Sequence, residues 1–317
     1  MFGKIAIRNI PPEIWSGLET LAGEHDRSVE AEARFALRSW VQPLMQRNVQ
    51  SARRAEVGAR LTEVLDQVNR VRHASFIRPS HIAQSIGEDR AEHVENWFIS
   101  NEEPSFRQLA DVASYLGCSA AWLQHGDGKM FPVASHRLAE DSEGAVRWFL
   151  DLNEEKPVSF LHLIREESEA GELLVVKQYD DWHCTTWTTP IHVSEVIGAG
   201  GERALAALSV ALQLLYEFYT SSRGSGLIVK SYLLSAEDSK TLRSGAIHPL
   251  VALRGAQECP WWEDFWDIEQ FRKHSNYWPG WRKLCERILR AVELSSGLAE
   301  QREQVLRKQH PLLERTE

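Results

Sequence analysis

The spacing of apolar residues changes within the first fifteen positions of the chain. In "KIAIRN", Ile5 and Ile7 fall on one face and Lys4, Ala6 and Arg8 fall on the other, which is the two-residue period of a β-strand. The residues that follow repeat their apolar positions at three- and four-residue steps, the period of an amphipathic helix. The pattern therefore predicts one short strand followed by helices.

Two helices are predicted after the strand. Pro11 and Pro12 suit the first turn of a helix that ends at Gly23, and Ser28 is a good N-cap for the next helix. The apolar face comprises Ile14, Trp15, Leu18 and Leu21 in the first helix and Val29, Ala33, Ala36, Leu37 and Trp40 in the second. One strand and two helices in about 40 residues cannot bury enough apolar surface alone. We therefore expect a second copy, with the two strands paired into an antiparallel ribbon whose outer face fits a DNA major groove.

The stretch "IAIRNIPPEIWSGLETLAGEHDRSVEAEARFAL" resembles the ribbon-helix-helix repressors of the Arc type, and in particular their antitoxin branch, which reads I-R-N-L-P and later R-S-x-E-A-E. The resemblance covers roughly residues 3 to 41. It implies an obligate dimer in which Lys4, Ala6 and Arg8 face the bases and the helix N-terminus at Ser28 and Val29 receives a backbone phosphate. The alternative is a strand used only for dimerisation.

Residues 46–134 show a second helical pattern. An amphipathic connector helix, bent or broken near Gly58, is followed by a helix from Pro79, a turn at Gly87, a helix from Asp89 and two more helices from Ser105 onward. The signatures "HIAQSIG", "EEPSF", "LADVASYLGCS" and "AAWLQHGDG" resemble the five-helix DNA-binding domain of the lambda-repressor/Cro type.

That second resemblance implies a helix-turn-helix, and the residues able to meet DNA there are Arg78, Arg90, His93 and Asn96. Its recognition helix departs from the pattern, because Glu88, Asp89, Glu92 and Glu95 would repel phosphates. Two interpretations stay open, DNA contact or a scaffold for protein contacts.

Residues 135–317 have a different composition. A polar linker over residues 133–145 is followed by three β-rich segments, a long apolar helix, another strand and a tryptophan-rich end with an amphipathic helix. This order predicts an α+β domain. The five tryptophans at its end fit an aromatic core or, alternatively, the lining of an apolar ligand pocket.

The α+β region offers one candidate effector site. Gly198, Gly200 and Gly201 immediately precede the long helix, and Arg203 lies in its first turn, so helix amides and a guanidinium could hold an anion. A plain β-to-α turn is the alternative. No convincing catalytic pair and no metal-ligand spacing occurs in the sequence, so we predict no catalytic residue, cofactor or metal.

Composition adds three points. The net charge of −9 disfavours nucleic acid over the whole chain, but residues 47–78 carry seven arginines against three acids, an expected local electrostatic footprint. The four cysteines form no C-x-x-C pair. No segment has the length of a signal peptide's apolar core or a membrane span, so we expect a cytoplasmic protein.

The sequence thus predicts a multidomain, mainly helical chain. A ribbon-helix-helix domain spans residues 1–45, a connector helix and five-helix helix-turn-helix domain spans 46–134, and an α+β regulatory or oligomerisation domain spans 135–317. The expected function is a homodimeric, sequence-specific transcriptional regulator, a repressor without enzymatic activity, whose partners are double-stranded DNA and itself, and in the last domain a small effector or protein. The alternative is an antitoxin-like regulator whose last domain holds a partner protein.

Overall fold

The computed structural model describes residues 7–72, 75–152, 154–273 and 276–313, apart from the side chains of residues 43–51 and 271. Helices make up most of it, with one mixed sheet in the C-terminal part. Among the helices described, none combines the length and the apolar character needed to cross a membrane.

Two helices occupy the first part of the chain. Helix α1 spans Pro12–Glu24 and helix α2 spans Val29–Val71. Ser28 caps α2 as predicted, because its Oγ accepts a hydrogen bond of 3.2 Å from the backbone N–H of Ala31.

Helix α2 runs for 43 residues through Gly58 without interruption, so of the bend or break predicted there, the break is wrong. The glycine serves close packing instead. A methyl group on Gly58 would lie 2.7 Å from Ser100 Oγ and 3.0 Å from the carbonyl oxygen of Trp97. A glycine in a helical pattern is thus explained by a close neighbour that the local sequence does not reveal.

Four short helices pack against the second half of α2. Their bounds are Pro79–Ser85 (α3), Ala91–Phe98 (α4), Phe106–Leu116 (α5) and Ala120–His125 (α6). Gly87 provides the predicted turn with a φ of 78°, and α4 begins after Arg90 rather than at Asp89. The shared core includes Val57, Leu61, Val64 and Val68 of α2.

The polar stretch predicted as a linker contains two elements. Strand β1 spans Val133–Ser135 and helix α7 spans Ser142–Leu150, with Asp141 accepting a hydrogen bond of 2.6 Å from the N–H of Gly144 as its cap. Strand β1 pairs in parallel with the later strand Cys184–His192, opposite Thr186, Trp187 and Thr188. The linker prediction is therefore wrong, because a three-residue edge strand is specified by its partner and has no period of its own.

The longer of the remaining strands agree with the predicted β-rich segments. These are β2 (Phe160–Glu166), β3 (Glu172–Gln178), β4 (Cys184–His192) and β5 (Ile228–Leu234), whereas the short β6 (Gln257–Glu258) was not predicted. The sheet order is β1-β4-β3-β2-β5-β6, with β1 parallel to β4 and β2 parallel to β5, and with the other neighbours antiparallel.

Helices cover both faces of this sheet. Alternate residues Leu161 and Leu163 of β2 join the core formed with α7 and the long helix α8 (Ala199–Thr220), while Ile164 joins a smaller core under α9 (Ala236–Ser244) and α10 (Pro249–Ala252). The chain continues through α11 (Trp261–Asp264), α12 (Ile268–Lys273), α13 (Trp281–Leu294) and α14 (Ser296–Leu306). Three of the five late tryptophans, Trp261, Trp262 and Trp281, are fully buried beside α8, which favours the aromatic-core interpretation.

Candidate nucleic-acid interface

The apolar face of α1 and of the first half of α2 is exposed in the single chain. Trp40 is 72% exposed and Phe35 is 48% exposed, whereas apolar residues at the same helical period later in α2 are buried. The other large apolar residues exposed in this part are Ile7, Ile14, Trp15, Leu21, Leu37 and Val41. An apolar surface of this kind is characteristic of an interaction site.

A buried carboxylate fixes the turn between α1 and α2. Glu32 is only 3% exposed, and its two oxygens lie 3.0 Å from Nδ1 of His25 and 3.4 Å from Nη1 of Arg27. The guanidinium of Arg27 also lies over the ring of Phe35 at 4.5 Å. These contacts hold the two helices together and leave the N-terminus of α2 open.

The predicted phosphate site lies at that open terminus. Ser28 is exposed and Val29 is the first residue of α2. The macrodipole of a helix places a partial positive charge at its N-terminus, and the first amides have no partner within the helix. The amide of Ala31 is already capped by Ser28, and Glu30 and Glu32 lie in the same first turn, so phosphate binding at this position stays a prediction.

The predicted base-reading residues are only partly within the description. Lys4 and Ala6 lie outside the described residues, and Arg8 is exposed. Within the described residues of the single chain, Ile7 and Arg8 belong to no strand. A two-stranded ribbon needs the strand of a second copy, which one chain cannot provide.

Residues 4–41 match the model of a family described as antitoxin FitA-like, ribbon-helix-helix. This stretch is a FitA-like ribbon-helix-helix antitoxin domain. Ribbon-helix-helix domains bind DNA and dimerise. No curated protein and no solved structure matches the chain.

Behind the ribbon-helix-helix domain, the structure places the other predicted DNA contacts on α3 and α4. Arg78 and Arg90 are exposed and directly precede these helices. His93 is exposed but its Nδ1 lies 3.1 Å from Glu102, whose hydrogen bond and charge raise the pKa of His93. Asn96 is half-buried. Three-residue spacing puts His93 and Asn96 on one side of α4, and Arg90 lies at the N-cap of that helix.

Carboxylates surround that side of α4. Asp89, Glu92 and Glu95 are exposed, and Glu88 accepts a hydrogen bond of 2.6 Å from Gln108 Nε2. An incoming phosphate would therefore meet negative charge on both sides of Arg90. The departure noted in the sequence persists in the folded chain.

The arginine-rich stretch is used largely inside the chain. Arg60 Nε donates to the carbonyl of Leu123 at 3.0 Å, and Arg53 donates to Glu103 at 2.6 Å and to the carbonyl of Gln124 at 3.4 Å. These contacts satisfy carbonyls in the last turn of α6, where a cation is favourable.

Two more of these arginines also have partners within the chain. Arg54 donates to the carbonyl of Asn101 at 3.5 Å, and Arg72 donates to the carbonyl of Ser75 at 3.0 Å and lies over the ring of Trp182. Four of the seven arginines in the predicted electrostatic footprint thus have partners within the chain. Among these four, only Arg53 pairs with a carboxylate in the described residues, so the footprint itself stays a prediction. The spacing of these arginines beside the apolar positions of α2, as in Arg53, Val57 and Arg60, is the sequence feature that could have revealed their contacts within the chain.

The predicted effector residues lie together at the start of α8. Gly198 caps the helix, and Gly200, Gly201 and Arg203 line a cavity of about 390 Å³. Arg203 Nε lies 3.7 Å from the carboxylate of Glu140, which lines the same cavity. An anion would have to compete with this carboxylate for the guanidinium.

Proposed function

We propose that this chain is a transcriptional repressor that binds specific DNA sequences as a homodimer. The observation that carries the proposal is the exposed apolar face of α1 and early α2 within a stretch that matches a ribbon-helix-helix family. Burying one large apolar side chain contributes roughly 1.5–3 kcal/mol, so several such residues covered by the same face of a second copy give a stable dimer.

In the proposed dimer the two N-terminal strands form the ribbon that enters the major groove. Lys4, Ala6 and Arg8 face the bases, and Arg8 supplies the bidentate contact that reads guanine. Ser28 and Val29 hold a phosphate at the N-terminus of α2 and fix the orientation of the ribbon on the duplex.

The proposal extends to α3 and α4 as a second DNA-binding module of the helix-turn-helix type. Arg78 and Arg90 support it, because both are exposed and neither lies within ion-pair distance of a carboxylate in the described part of the chain. Tethering two modules raises the effective concentration of the weaker one, which offsets the acidic surroundings of α4.

A second candidate function follows from the antitoxin description of the matching family. In this alternative the ribbon-helix-helix domain controls transcription and the C-terminal domain holds a partner protein. Both candidates are functions of binding and not of catalysis. A partner that co-purifies in a stoichiometric amount would favour the alternative.

The proposal is tested by selecting bound sequences from random duplex DNA. The full chain is compared with Arg8→Ala, with the double variant Arg90→Ala and Asn96→Ala, and with Arg137→Ala as a control on an exposed arginine that belongs to neither module. We expect Arg8→Ala to weaken binding to the selected site by about 1–3 kcal/mol and to relax one part of the motif, while the double variant affects another part.

Different outcomes of this selection remove different parts of the proposal. Unchanged binding by Arg8→Ala would overturn the ribbon assignment, and an unchanged motif with the double variant would leave α3 and α4 as a scaffold. No enriched motif with the unaltered chain would overturn sequence-specific binding altogether.

A further inference from the structure

The sheet face that packs against α9 and α10 is only half covered. At one end of this face Ile164, Leu174 and Leu234 lie beneath α9 and α10. At the other end the same alternation brings Phe160, His162, Gln178 and Lys230 to the surface of a cavity of about 640 Å³. Val71, the last residue of α2, also lines this cavity, which therefore lies where α2 meets the sheet. We call it the junction cavity.

The floor of the junction cavity is a chain of hydrogen bonds between buried side chains. His162 is 6% exposed, and burial lowers its pKa to about 4, so its ring is neutral at pH 7. Its Nε2 donates to Gln178 Oε1 at 3.1 Å, because an amide oxygen can only accept. Its Nδ1 therefore accepts from the hydroxyl of Tyr232 at 3.2 Å.

The hydrogen-bonding capacity left over in the cavity consists mainly of donors. Gln178 Nε2 uses one N–H on the carbonyl of Asp180, at 2.8 Å, and keeps a second. Lys230 uses one of three protons on Glu258, at 2.9 Å. Arg254 donates to the carbonyl of Arg70 and has no carboxylate within ion-pair distance in the parts of the chain described. Lys230 shares its charge with Glu258, so the charge of Arg254 and the spare N–H groups of Gln178 and Lys230 suit a ligand with acceptor atoms and a single negative charge.

The other walls define the rest of the ligand. Phe160, Leu250 and Leu253 present apolar surface. The carboxylate of Asp180 is already held by Lys156 and by the backbone N–H groups of Trp182 and His183.

Asp181 is exposed at the cavity, and its negative charge would repel a second acidic group on a ligand. The cavity volume falls within the range of about 300–1,000 Å³ typical of small-molecule sites.

We propose that the junction cavity binds a small organic monocarboxylate with an apolar body. The carboxylate lies against Lys230, Arg254 and the amide of Gln178, and the apolar body packs on Phe160, Leu250 and Leu253. This proposal does not depend on the DNA-binding proposal, and it can be tested without DNA.

The experiment is calorimetric titration of the full chain with benzoate, with neutral benzamide as the matched ligand. We expect benzoate to bind with one site per chain and benzamide to bind at least about tenfold more weakly, because the charge-assisted hydrogen bonds are lost. Lys230→Met keeps the length of the side chain and should weaken benzoate binding by about tenfold, whereas Lys240→Met on the exposed side of α9 should leave it unchanged.

A second variant separates loss of the site from loss of the fold. Leu250→Trp fills the cavity from its apolar wall and should abolish binding while the cooperative unfolding transition persists. No heat with benzoate would overturn the proposal. Equal binding of benzoate and benzamide, or unchanged binding in both the Lys230 and the Leu250 variants, would do the same.

Discussion

The two halves of helix α2 follow the same hydrophobic period but have different surroundings. In the second half Leu61 and Val64 are fully buried beneath α3 to α6, whereas in the first half Trp40 is largely exposed. Periodicity therefore specifies which face of a helix is apolar, and it does not specify what covers that face. The second half is covered by its own chain, and we propose that the first half is covered by another copy.

The largest expected effect is in the buried half. Leu61→Ala removes a side chain with no exposed surface and leaves a cavity, so the free energy of unfolding should fall by about 2–5 kcal/mol. Denaturant titration measures this change. A loss below about 1 kcal/mol would mean that the core around α2 is not packed as described.

A pH-dependent loss of stability of similar size should affect the buried half of α2 more than its exposed half. His248 is buried, its backbone N–H donates to Gln67 of α2 at 3.2 Å, and its Nε2 donates to the carbonyl of Trp182 at 2.9 Å. Burial lowers the pKa of His248 to about 4, against about 6.5 in an unfolded chain.

Because the unfolded chain binds more protons between these values, the stabilising contribution is complete above about pH 6.5 and is lost as the pH falls towards 4. The loss is roughly 3 kcal/mol at its limit. Hydrogen exchange measures the opening of each region at pH 7 and at pH 4.5. When the pH is lowered, the opening rate of residues 57–71 should rise by a larger factor than that of residues 29–42. A His248→Gln variant should reduce the difference, and equal acceleration in both regions would contradict this explanation.

Substitutions in the exposed half of α2 should change the stability of the proposed dimer. Trp40→Ala should weaken the proposed dimer by about 2 kcal/mol, because a large aromatic side chain at an interface is lost. Analytical ultracentrifugation over a range of protein concentrations measures the shift. Leu294→Ala, which removes an apolar residue exposed in α13, is the control and should leave assembly unchanged. A dimer unaffected by Trp40→Ala would remove this face from the interface.

The smallest effects are expected from two glycines with opposite surroundings. Gly58→Ala should destabilise the fold by about 1–3 kcal/mol, since the new methyl group meets Ser100 Oγ and the carbonyl of Trp97. Gly23→Ala in the last turn of α1 meets nothing within 4 Å, and it should stabilise the chain by about 0.5–1 kcal/mol. Thermal unfolding of the two variants should shift in opposite directions, and a shift in the same direction would contradict the assigned packing of Gly58.

Local chemistry allowed much of the architecture to be predicted. Ser28 marked the start of α2, Gly87 marked the turn before α4, and the β-rich composition of β2 to β5 indicated strands. The ribbon-helix-helix domain could be predicted from its residues because its signature is contiguous, and the family match over residues 4–41 confirms it.

The sequence by itself thus determined the elements whose capping, turn and periodic residues are neighbours along the chain. Only the tertiary structure decided that Gly58 lies inside a continuous helix, that Arg53 and Arg60 face carbonyls of a distant helix, and that Val133–Ser135 forms a strand. It also decided that His162, Gln178 and Lys230 border one cavity. The physical reason is that each of these outcomes depends on a contact between residues far apart in sequence, whose partners have no local pattern to identify them.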